Sequence, residues 1–75
     1  MRYEFHQGKR YRVLIVLDNF LGRVATERSI ENRLSDWGLQ GSATKHGPGN
    51  FTVEGVWTIS TRTVSHDAIR KVTPC

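Results

Sequence analysis

The longest apolar run in the chain, Val13-Leu14-Ile15-Val16-Leu17, is preceded by Tyr11-Arg12 and closed by Asp18. A β-branched stretch of this kind predicts a central strand over Tyr11 to Asp18, covered on both faces. Upstream, Arg2 to His6 alternates polar and apolar, with Tyr3 and Phe5 on one side, and reads as a short edge strand that turns at Gln7-Gly8. Downstream, Asn19 to Gly22 interrupts the run and the period changes. Ile30, Leu34 and Trp37 recur at intervals of four and three, as on one helix face, with Thr26 as N-cap and Ala25 and Ile30 as a hydrophobic staple. Gly38 stops the helix in a Schellman ending, with Leu39 folding back on Leu34.

Alternation returns in Ser42 to His46 and Phe51 to Ser60, a hairpin around Gly47-Pro48-Gly49-Asn50, where proline presets the second turn position and glycine supplies the positive φ of the third. Phe51, Val53, Trp57 and Ile59 share one face of the second arm; Thr52, Glu54, Val56, Thr58 and Ser60 share the other. Gly55 interrupts the first set, the mark of a bulge or of a close backbone approach. Ser65 then caps a short helix through Val72, with Ala68, Ile69 and Val72 inward and Arg70 and Lys71 near its dipole-favoured end. A strand from Ile69 to Thr73 is the alternative.

These elements predict one α+β domain over residues 1–75: a small sandwich with a mostly antiparallel sheet of three or four strands and one or two helices on one face. The order looks like part of a ferredoxin-like fold, with a crossover from Asp18 through the helix to Ser42. Tyr11, Phe51 and Trp57 keep register with Val13, Ile15, Val53 and Ile59, so these rings are expected in the core and not on a base-stacking platform. Leu14, Val16 and Val56 fall on the opposite face. Bordered by Arg12, Thr52 and Thr58, they form an apolar strip suited to partner docking or self-association, unless the N-terminal strand folds across it.

Charge adds a second signal. Of a net charge of +4, three units lie in the first twelve residues, where Arg2, Lys9, Arg10 and Arg12 face only Glu4 and alternate with Tyr3, Phe5, His6 and Tyr11. Cations and flat rings together suit a polyanion or a nucleic-acid enzyme, and Tyr3 and Phe5 are expected to be the exposed rings. Arginine outnumbers lysine eight to three, which favours paired recognition of phosphates and carboxylates. The partner-binding residues expected from pattern and charge are Arg2, Tyr3, Phe5, Lys9, Arg10, Arg12, Leu14 and Val16.

The motifs that resemble catalytic sites do not carry chemistry. Ser65, His66 and Asp67 are neighbours whose side chains diverge, and helix capping accounts for Ser65. His6, His46, His66 and Cys75 lack metal-ligand spacing, Gly47-Pro48-Gly49 is no phosphate loop, and no cofactor is expected. Cys75 stands alone, so no internal disulfide forms. Asn50-Phe51-Thr52 matches a glycosylation sequon by chance, because no signal peptide is expected. No apolar run reaches membrane-spanning length, and a cytoplasmic setting is expected.

Asp18 is the one acid at the end of the predicted central strand. A strand-terminal aspartate followed by a helix, over Val13 to Asp18 and the helix behind, is similar to the arrangement in the CRISPR-associated endonuclease family. That resemblance implies magnesium held by Asp18 in a dimer. Asp18-Asn19 is equally an ordinary turn start, and the turn is the reading adopted. The expected function is therefore a non-enzymatic regulatory protein docking on a nucleic-acid-handling protein or nucleoprotein complex, in the manner of anti-CRISPR proteins and phage polymerase inhibitors. Direct DNA or RNA binding and an Asp18 nuclease are the alternatives, and a homodimer through the sheet is a further possibility.

Overall fold

The computed structural model describes residues 3–20, 24–59 and 64–75. Four strands form one sheet: β1 (Arg10–Leu17), β2 (Leu39–Gly47), β3 (Asn50–Thr58) and β4 (Ile69–Pro74), in the order β2-β3-β1-β4. Every pairing is antiparallel. β1 and β2 therefore run parallel with β3 between them, and helix α1 (Glu27–Ser35) bridges them, packing chiefly on β2. This is the α+β architecture read from the sequence, with the strand order of a split β-α-β unit.

The core occupies the α1 side of the sheet. Tyr11, Val13, Ile15 and Leu17 of β1 meet Phe51, Val53 and Trp57 of β3, while Ile30 and Leu34 of α1 close over them. Trp57 is fully buried and its indole Nε1 donates to the Trp37 carbonyl at 3.0 Å. Thr26 caps α1 as expected, and Ser29 completes a reciprocal box: Thr26 Oγ1 accepts from the Ser29 N–H, and Ser29 Oγ accepts from the Thr26 N–H at 2.8 Å. The helix ends at Ser35, before Trp37. Its exit tightens through bonds from the Trp37 and Gly38 N–H groups to carbonyls three residues back; the Gly38-to-Ser35 bond is the inner bond of the expected Schellman ending, while Trp37 takes the Leu34 carbonyl that the outer bond would use. Gly38 then takes φ +88°, and a Cβ there would stand 2.5 Å from the Thr58 carbonyl oxygen.

The hairpin turn forms where proline and glycine place it, with Gly49 at φ +74°. Gly55 pairs with Gly41 across β2 and β3, and a Cβ on either would strike the other strand's backbone, which is the close approach the missing side chain signals.

Three expectations change. Tyr3 to His6 is not a strand: Phe5 lies across the core side, with its ring centroid 5.3 Å from both Tyr11 and Trp57. The helix expected from Ser65 to Val72 is a single 3-10 turn, His66–Ala68, capped by Ser65 and followed by β4. A bulge explains the false period. Ile69 pairs with Ile15 and Val72 with Val13, with a register shift between, so two inward residues stand three apart, as they would on a helix. Lastly, β1 is central, but among the described residues elements pack on one of its faces only.

Candidate docking face

β1 divides its side chains by parity. The odd positions enter the core, and Arg10, Arg12, Leu14 and Val16 point to the other face, over which no described element packs. Strand register sets that face out in rows. Gln40, Val56, Arg12 and Thr73 form one row across all four strands; Ser42, Glu54, Leu14 and Lys71 form the next; Thr44, Thr52 and Val16 begin a third. Leu14, Val16 and Val56 are half-buried, whereas Arg10, Arg12 and Lys71 are exposed. A shallow depression of about 470 Å³ runs across the middle, lined by Arg12, Leu14, Ser42, Glu54, Lys71 and Thr73.

The electrostatics are lopsided. Three cations, Arg10, Arg12 and Lys71, face one carboxylate, Glu54, and the cations gather on the β1 and β4 side. Side chains two apart on a strand lie about 6.6–6.8 Å from one another, so Arg10 and Arg12 form a pair of the reach needed to span neighbouring acidic groups. Among the described residues the face carries no Phe, Tyr or Trp; its flat ring is the His46 imidazole, whose Nε2 lies 2.9 Å from Thr52 Oγ1.

The expected contact residues separate. Lys9, Arg10 and Arg12 are exposed, and Leu14 and Val16 lie on the open face with Arg12. Arg2 falls outside the described residues. Tyr3 and Phe5 are half-buried against the core, not exposed rings: Phe5 meets Tyr11 edge-on at 84° and His66 at 5.8 Å, and Tyr3 lies 6.2 Å from Phe5. The reason is that Gly8 and Lys9 extend the β1-β3 ladder, with Gly8 N–H donating to the Ile59 carbonyl and Ile59 N–H to the Lys9 carbonyl. That fixes the turn and directs the preceding chain onto the apolar side.

Lys71 and Thr73 escape the sequence reading because the favoured helix gives them no relation to Leu14, and it is the alternative strand from Ile69 that forms. The alternation of Arg12, Leu14 and Val16 was signal enough to find the face, but not its fourth strand.

Asp18 is exposed at the end of β1, followed by Asn19 at φ +59°. The Asn19 N–H donates to Asn50 Oδ1 at 2.9 Å and the Phe20 N–H to the Gly49 carbonyl at 2.6 Å. These contacts make Asp18-Asn19 a turn docked on the hairpin tip. Among the described residues, no three of His, Cys, Asp and Glu gather as a metal site, and no helix is long and apolar enough to cross a membrane. No protein-family model, curated protein or solved structure matches the chain.

Proposed function

We infer that this chain is a non-enzymatic binding protein that acts in the cytoplasm by docking its open sheet face on a nucleic-acid-handling protein complex, in the manner of the small inhibitors that phages and mobile genetic elements use. The observation that carries this is the uncovered row Ser42-Glu54-Leu14-Lys71, in which an apolar centre is bordered by charge across the whole sheet. Half-exposed aliphatics with a charged rim are the anatomy of a protein interface. Among the described residues the face has no Phe, Tyr or Trp and one imidazole, His46, engaged by Thr52, which favours a protein surface over splayed bases held by stacking. The excess of cations fits an acidic partner surface, such as the carboxylate clefts in which nucleic-acid enzymes hold metal ions.

The test is crosslinking and capture from host lysate with the wild type, an Arg12→Glu/Lys71→Glu double variant, and an Arg28→Glu/Arg33→Glu control on the exposed side of α1. Capture that survives nuclease treatment, is lost in the first variant and persists in the second is expected. Equal losses from both variants would mean diffuse electrostatics, and loss on nuclease treatment would make nucleic acid the partner.

A further inference from the structure

The two edges of the sheet are protected differently. β4 carries Arg70 at its bulge, Lys71 beside it and Pro74 at its end, the devices that discourage strand addition. β2 has nine residues, no proline and one lysine, and its outer edge is long enough to template another strand. In β2, Gln40, Ser42 and Thr44 are the residues whose backbone groups face β3, continuing the pattern begun where the Thr58 N–H donates to the Gly38 carbonyl. Gly41, Ala43 and Lys45 therefore direct their N–H and C=O groups outward. One of these donors is occupied from the helix: Glu31 Oε1 of α1 accepts from the Ala43 N–H at 2.9 Å. Ahead of the helix N-cap in the same crossover, the Ala25 carbonyl accepts from Lys45 Nζ at 2.8 Å.

We propose that the outer edge of β2 is a strand-pairing surface held shut by the Glu31 carboxylate, and that its occupant when open is β2 of a second copy of this chain. Ala43 is the midpoint of β2, so a two-fold antiparallel pairing places Ala43 opposite Ala43 of the second copy as a doubly hydrogen-bonded pair. Gly41 then lies opposite Lys45, again with both outward groups on each side matched. On the open face Ser42 meets Thr44, a favourable hydroxyl pair, and Gln40 meets His46. No like charges face each other, since Lys45 stands against a glycine. On the core face the facing residues are Ala43 with Ala43 and Gly41 with Lys45. The product is an eight-stranded sheet in which two open faces lie side by side. The inference does not depend on the function proposed above.

Light scattering after size exclusion, over a concentration series, tests it together with amide exchange. The wild type and Glu31→Gln, whose side-chain oxygen still accepts from Ala43, are expected to remain monomeric. Glu31→Ala is expected to double in mass as concentration rises, with exchange at Gly41, Ala43 and Lys45 slowing in step. Should Glu31→Ala not fold, Glu31→Asp, one methylene short of Ala43, gives the same reading. A folded, monomeric Ala or Asp variant would overturn the proposal. So would a dimer whose three outward amides exchange as fast as in the monomer, or a Gln variant that dimerises as readily as the Ala one.

Discussion

The two sides of β1 carry nearly equal apolarity at the strand's centre and meet opposite fates. Val13, Ile15 and Leu17 are buried in the core with Ile30 and Leu34 of α1, while Leu14 and Val16, one residue away, are only half-buried. Fully burying an aliphatic side chain is worth about 1.5–3 kcal/mol, and Leu14 and Val16 recover only part of that. A docked partner would supply the remainder. The comparison shows that a continuous apolar run reports how much burial a strand can use, while the elements packed beside it decide on which face.

The sharpest way to break the comparison is to cut into each side in turn. Trp57→Ala should cost about 3–5 kcal/mol, since it empties the centre of the core, and it also leaves the Trp37 carbonyl without its indole donor. Because domains of this kind have only about 5–15 kcal/mol to lose, denaturant titration should show a large fall in midpoint. Gly38→Val comes next, at about 2 kcal/mol or more: a β-branched residue resists φ +88°, and its Cβ would press on the Thr58 carbonyl. An unchanged thermal midpoint would mean that the α1-β2 connection does not turn there.

Thr26→Ala should remove about 1 kcal/mol by opening the capping box, seen as a lower melting temperature with the native spectrum retained. On the other face, Val16→Thr should stay within about 0.5 kcal/mol of the wild type by the same titration. A loss comparable with Trp57→Ala would show that the face is covered after all. The smallest effect concerns Asp18→Asn. Incubation with DNA and RNA in magnesium or manganese should show no cleavage by either the wild type or the variant, and turnover that vanishes in the variant would replace a docking protein with a nuclease.

Strand and helix identities from Arg10 to Thr58 are legible because each local signal agrees with the next: parity in β1 and β3, the Thr26 cap, and proline with glycine at the hairpin tip. The N-terminal segment misled because Tyr3 and Phe5 alternate as strand residues do, yet the β1-β3 ladder extends through Lys9 and turns them onto the core. The C-terminal segment misled for a geometric reason, since the bulge at Arg70 and Lys71 places Ile69 and Val72 inward at a helical interval. Half the open face was accordingly visible beforehand in Arg12, Leu14 and Val16. Lys71 was not, because only pairing with β1 brings it beside Leu14.

The position of β4 bears on the order in which the molecule is made. It lies against β1, which precedes it in the chain, and the Cys75 N–H donates to the Arg10 carbonyl at 3.2 Å. Until β4 has left the ribosome, β1 can pair with β3 alone, and its other margin is a bare template of the most apolar sequence in the chain. The finished sheet therefore depends on a strand made well after the one it covers. A chain that stopped short of Ile69 would keep α1 and the hairpin but present β1 as an edge, turning a folded domain into a seed for aggregation.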